Sequence, residues 1–145
     1  MKKMNNKGFS LVELIVVVLI MAIIAVALAP QVMKWVENSR LSTDCDTYDG
    51  LIANIQVALT DKQAYAEAKV SGYSAVFTIN NTNTTPSGST STNLQAALAK
   101  VNPQWSQAKS KVSGASYTIT VTGDGTTINV QRSCAPNTSA NADLS

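Results

Sequence analysis

Glu13 is the only charged residue between Leu11 and Ala29, a stretch of 19 residues that is otherwise almost wholly aliphatic. A carboxylate set into such a run costs about 2.5–3.5 kcal/mol on membrane-insertion scales if it reaches the hydrocarbon centre, and less near the interface. It therefore asks for a partner. The other groups able to do chemistry are few. Asp44, Asp46 and Asp49 are close in sequence, Asp124 lies between two glycines, and the chain has two cysteines, Cys45 and Cys134. Histidine is absent, which removes the commonest general base and the commonest metal ligand. With no Ser-His or Cys-His arrangement available, an enzyme is the least favoured reading, and no catalytic, cofactor or metal residue is assigned. At their spacing only Asp46 and Asp49 share a helix face, and a solvated polar face is favoured over a calcium site; Asp124 reads as a turn residue for the same reason.

The elements that position Glu13 are a basic head and a membrane-length helix. Lys2, Lys3 and Lys7 precede the apolar run and no lysine lies within it. Leu11–Ala29 as a helix spans about 28 Å, enough to cross a bilayer. The positive-inside rule places Met1 in the cytoplasm and the residues beyond Pro30 outside. Beyond Gly8 the chain carries eight basic against nine acidic side chains, no footprint for nucleic acid, and Lys100, Lys109 and Lys111 make only a small basic group. An ordinary signal peptide and a plain anchor share these features. The first is opposed by Glu13 and by Pro30 directly after the cleavage-like Ala27-Leu28-Ala29.

Lys7-Gly8-Phe9-Ser10-Leu11-Val12-Glu13-Leu14 resembles the processing site of type IV prepilins and related pseudopilins. The resemblance implies a leader of residues 1–8, cut between Gly8 and Phe9 by a membrane prepilin peptidase that also N-methylates Phe9. It further implies an apolar transmembrane and filament-core helix over 9–30, and an amphipathic helix half with a globular head over 31–145. Glu13 would pair with the Phe9 ammonium of a neighbouring subunit. Assembly would need the pilus platform and its ATPase machinery, and the precursor would sit in the cytoplasmic membrane before entering an extracellular filament serving adhesion, motility or DNA uptake. Pro30 marks a helix break, since many relatives extend the helix just before it; here Ala22 replaces the glycine common in that stretch, and a simple kink is the alternative. A pseudopilin of a secretion or DNA-uptake machine shares the same head motif, and a membrane-anchored extracellular binding domain is the reading without polymerisation. Major pseudopilins carry several C-terminal acids, whereas only Asp124 and Asp143 follow Glu67.

Past Pro30 the pattern becomes amphipathic. Leu41, Cys45, Tyr48, Ile52, Ile55 and Leu59 form one stripe, predicting helix to about Thr60 with Gly50 its weak link. Asp61–Val70 extends or restarts that helix. Tyr73, Ala75, Phe77 and Ile79 alternate as a strand, and 80–91, without an aliphatic or aromatic side chain, reads as an exposed loop. Thr92-Asn93-Leu94-Gln95 has the form of a capping box opening a short helix, and Pro103 ends it before a turn bearing Trp105. Tyr117–Thr122 and Ile128–Val130 flank Gly123-Asp124-Gly125 as a hairpin. The expected fold is α+β: a long N-terminal helix packed against a three-stranded antiparallel sheet, with a loosely held tail over 135–145. Cys45 on the helix stripe and Cys134 in the parity of Ile128 and Val130 face one core, which outside the cytoplasm favours a disulfide, two buried thiols being the alternative. Many pilins instead bracket a C-terminal loop with their cysteine pair. The Asn80, Asn83 and Asn137 sequons and Ser/Thr glycosylation of the 80–91 loop are chance-prone matches in so Asn- and Thr-rich a sequence.

Overall fold

The computed structural model describes Gly8 and residues 10–131. Phe9, Cys134, the Asn137 sequon and the tail over 135–145 lie outside the described residues. The chain divides into two units, residues 1–37 and 38–145.

Helix α1 runs from Leu11 to Ala58. Its first half exposes its aliphatic side chains all round, and the helix is long and apolar enough to cross a membrane. Pro30 lies inside α1 without ending it. Proline lacks the N–H that would bond the Val26 carbonyl, and the flanking turns hold the helix together. In the second half the buried positions are Asp44, Tyr48, Leu51, Ile52, Ile55 and Ala58. The stripe is thus rotated by part of a turn from the one read in sequence: Leu41, Cys45 and Leu59 are half-buried at its margin.

Two residues after Thr60, a second helix α2 spans Lys62–Ala68, capped by Asp61, whose Oδ1 accepts from the N–H groups of Gln63 at 2.9 Å and Ala64 at 3.5 Å. These bonds, with the Lys100 ammonium 3.3 Å from the other oxygen, hold the Asp61 carboxyl below the usual carboxylate value.

The sheet has four strands, not three: β1 (Tyr73–Ile79), β2 (Thr84–Gly88), β3 (Tyr117–Gly123) and β4 (Ile128–Gln131), in the order β2-β1-β3-β4 with every pair antiparallel. The additional strand is β2, cut from the segment expected to be a loop. An edge strand needs only backbone bonds to one neighbour, and β2 buries a single side chain, Thr84, so no hydrophobic alternation announces it. Pro86 is tolerated because it sits on the edge. Gly88, at φ +86°, lets the chain leave the sheet beside the Ser74 carbonyl, where a Cβ would lie only 2.3 Å from that oxygen.

Helix α3 (Thr92–Val101) begins one residue earlier than the sequence suggests. Ser91 is its N-cap and makes no side-chain cap bond. Gln95 instead donates Nε2 to Ser91 Oγ at 2.7 Å, while Glu67 of α2 accepts from the Asn93 N–H at 2.9 Å. The expected Thr92–Gln95 box is therefore absent, and Glu67 caps the helix from α2 by satisfying one orphan donor of its first turn, the Asn93 N–H. Pro103 leads into a short 3₁₀ turn over Trp105–Gln107, and Trp105 packs edge-on against Phe77 with ring centroids 5.7 Å apart.

The core is continuous. The inner faces of β1 and β3, namely Ala75, Phe77, Ile79, Tyr117, Ile119 and Val121, meet Tyr48, Ile52 and Ile55 of α1 and Leu94 and Leu98 of α3. Gly123, where β3 passes under the end of α2, has no room for a side chain: a Cβ would lie 2.0 Å from the Ala68 carbonyl oxygen and 2.8 Å from that of Val70.

Candidate functional site

At the start of α1, Ser10 and Glu13 cap the helix reciprocally. The Ser10 N–H donates to Glu13 Oε2 at 3.0 Å, and the Glu13 N–H donates to Ser10 Oγ at 3.3 Å. This is a capping box, two orphan donors satisfied by one pair of side chains, and the carboxylate also complements the positive end of the helix dipole. Ser10-x-x-Glu13 was the legible signal for it. Both residues lie beyond Gly8, so a cut between Gly8 and Phe9 leaves the box whole. From Leu11 onward the exposed surface of α1 is aliphatic: Leu14, Ile15, Ile20 and Ile24 are each about half exposed, and no part of the apolar window is buried in the fold. Such a surface has no place in water and must be covered by lipid or by other helices.

The second polar assembly is one that sequence reasoning missed. Asp44, expected on a solvated face with Asp46 and Asp49, is 2 % exposed. Its Oδ2 accepts from Ser110 Oγ at 2.6 Å, from Tyr117 Oη at 3.1 Å and from the Val112 N–H at 3.3 Å, while Oδ1 accepts from the Lys111 N–H at 2.6 Å. All the donors are neutral. Asn81, at the β1–β2 turn, completes the grip: its amide donates to the carbonyls of Ser110 and Val112 and its Oδ1 accepts from the Gly114 N–H at 2.8 Å. Thr84 Oγ1 donates to the Ala108 carbonyl at 2.8 Å. The segment 108–114 has neither helix nor strand, yet it enters the fold because side chains from α1 and the β1–β2 hairpin satisfy its backbone. The signal was present in the spacing. Asp44 stands three residues after Leu41 and four before Tyr48, as much on the stripe as Cys45.

Asp46 and Asp49 are exposed. Asp124 caps its own turn, with Oδ1 accepting from the N–H groups of Thr126 at 2.7 Å and Thr127 at 2.6 Å and Oδ2 from Thr127 Oγ1 at 2.9 Å. Those bonds lower its pKa and give it the turn role expected of it. Lys100 is engaged with Asp61, and Lys109 and Lys111 are exposed on either side of buried Ser110. Among the described residues no three of His, Cys, Asp and Glu gather into a metal-holding group. Cys45 is half-buried on α1; its expected partner lies outside the described residues.

Neither a curated protein nor a solved structure matches this chain. Residues 3–29 match the family described as the prokaryotic N-terminal methylation motif, the signature that type IV pilins and pseudopilins share, and the chain is in that respect type IV pilin-like.

Proposed function

We propose that this chain is a structural subunit of a type IV pilus, cut between Gly8 and Phe9, methylated at Phe9 and polymerised through α1 into an extracellular filament. The observation that carries the reading is the wholly exposed aliphatic surface of the first half of α1, headed by the capped Glu13. In the precursor that surface is solvated by the cytoplasmic membrane; in the filament, neighbouring α1 helices replace the lipid. The capping box reduces the cost of Glu13 in the membrane, because Oε2 already accepts a hydrogen bond. It also leaves Oε1 to meet the methylated Phe9 ammonium of an adjacent subunit without uncapping the helix. The acid acts as a register key, since burying either charge alone is disfavoured. The partners follow from the motif: prepilin peptidase and methyltransferase, the assembly platform with its ATPase, and further copies of the chain. A pilus subunit is preferred to a pseudopilin because only one described acid, Asp124, follows Glu67, and its oxygens serve its own turn.

Electron microscopy of sheared surface material, with mass spectrometry of this chain, tests the proposal. Long filaments whose subunit begins at a methylated Phe9 are expected, and a surface monomer retaining residues 1–8 would refute it. Glu13→Val is expected to be inserted and cleaved as the parent chain is but to yield few filaments; normal filament yield would remove the register role.

A further inference from the structure

The membrane-spanning part of α1 has a second end that the sequence motif does not define. After Glu13, 20 consecutive residues from Leu14 to Met33 carry no charge, and the next two are Lys34 and Trp35. At 1.5 Å per residue that stretch covers about 30 Å, the thickness of a bilayer's hydrocarbon core, and Glu13 and Trp35 stand about 33 Å apart along the axis. The helix is continuous across this whole interval. Met33 is 73 % and Trp35 69 % exposed, and Val32 and Val36 are about half exposed, so the apolar surface does not stop at Pro30. An exposed indole beside a lysine, one bilayer thickness from a polar helix cap, has the chemistry of the lipid headgroup zone. There the ring's apolar body meets acyl chains while its N–H and the ammonium remain among polar groups.

We propose that Trp35, with Lys34, is the outer interfacial anchor of the unassembled chain, so that the spanning segment is Leu14–Met33 and Pro30 lies inside the hydrocarbon, not at its edge. The partner of this surface is a phospholipid interface. Proline at that depth is compatible with a spanning helix, where local readjustment of neighbouring backbone bonds satisfies the carbonyl it leaves unbonded. The inference rests on the membrane-anchored state of the proposed function and adds to it the depth at which the head leaves the membrane.

The test is depth-resolved fluorescence quenching of the full chain in phosphatidylcholine/phosphatidylglycerol vesicles carrying bromine at shallow or deep acyl positions. Trp105 is buried in the head, and subtracting the signal of Trp35→Phe from that of the parent isolates Trp35. Stronger loss of Trp35 emission with shallow than with deep bromines, and little loss with aqueous iodide, is the expected result. A Leu28→Trp, Trp35→Phe chain serves as a depth control and is expected to be quenched more by the deep label. If that control is quenched in the membrane while Trp35 is quenched only by iodide, or if Trp35 is quenched most by the deep label, the anchor is refuted and the spanning helix stands. If neither tryptophan is quenched by lipid, the helix does not enter the bilayer and both readings fall.

Discussion

Replacing Asp44 by alanine removes the acceptor for four donors at once, and the structure allows the damage to be apportioned. Ser110 Oγ retains a second acceptor, the Val112 carbonyl at 3.1 Å, and the Val112 N–H retains Ser110 Oγ at 3.1 Å. The Lys111 N–H and the Tyr117 hydroxyl lose their bonds to the carboxylate. A hydrogen bond to a charged group is worth about 1.5–3 kcal/mol net. Two such losses, partly offset by no longer burying a charge, predict destabilisation by about 3–5 kcal/mol for Asp44→Ala. Asp44→Asn keeps the shape and one acceptor oxygen, and the two hydroxyls can turn to accept from its amide; about 1–3 kcal/mol is expected.

The assay is urea unfolding of a fragment beginning at Asn38, the start of the compact unit, followed by the fluorescence of Trp105, its sole tryptophan. With a slope of about 1.5 kcal/mol/M, a loss of about 3 kcal/mol moves the midpoint down by about 2 M. Hydrogen exchange adds a local signature: the amides of Lys111 and Val112 should lose protection in Asp44→Ala before the strands do. A double-mutant cycle with Ser110→Ala should show coupling of about 1 kcal/mol or more. An Asp44→Ala midpoint within about 0.5 M of the parent, or unchanged protection at Lys111 and Val112, would mean that the carboxylate does not hold this segment.

Gly123→Ala should cost about 2–3 kcal/mol or prevent folding, because the added Cβ meets the Ala68 and Val70 carbonyls, whereas Gly50→Ala, with nothing within 4 Å, should stabilise by about 0.5–1 kcal/mol; the same unfolding curves decide both. Burial and the neighbouring Glu67 carboxylate push the Tyr73 phenol up to about 12. Its folded value exceeds the unfolded one, so its contribution is complete below about pH 10 and is lost as pH rises towards 12. Tyrosinate absorbance of Tyr73→Phe should lack a phenol that ionises near pH 12 in the parent. For the lowered carboxyls Asp61 and Asp124 the sign reverses: their stabilisation is present above the ordinary carboxylate value and fades as pH falls through the lowered ones, which Asp61→Asn and Asp124→Asn should flatten in an acid unfolding series. A Cys45–Cys134 bridge is expected, since Tyr48, one turn beyond Cys45, brings its hydroxyl to 3.5 Å from the carbonyl of Gln131, three residues before Cys134. Thiol titration of the unreduced, unfolded protein should find none, and reduction should cost about 4 kcal/mol.

What could be read without coordinates was whatever repeats with a fixed period. Alternation at Tyr73–Ile79 and Tyr117–Val121 gave β1 and β3, because both strands press one face on the core and leave the other to solvent. The helical stripe gave the spine of the head but was misplaced by part of a turn. A 3.6-residue period does not distinguish 41-45-48-52-55 from 44-48-51-55-58, and only the second carries an acid. Choosing apolar positions alone therefore selected Cys45 and passed over Asp44. The strand β2 escaped for a related reason: its stability comes from backbone bonds to β1, which side-chain patterning does not record.

Asp44 shows where such reading must stop. A carboxylate is buried only if donors are brought to it, and here they come from Ser110, Lys111, Val112 and Tyr117, more than sixty residues along the chain. No local window contains both halves of that arrangement. Glu13 is the opposite case: its partner Ser10 is three residues away, within the span of one turn, so its role as a cap is written in four consecutive residues. The two acids divide the chain's polar chemistry accordingly. Glu13 is satisfied locally through one oxygen, while Asp44 spends both oxygens within the fold. Only an acid with an oxygen to spare could meet a neighbouring subunit, which is why the proposed register role falls to Glu13 and draws nothing from Asp44.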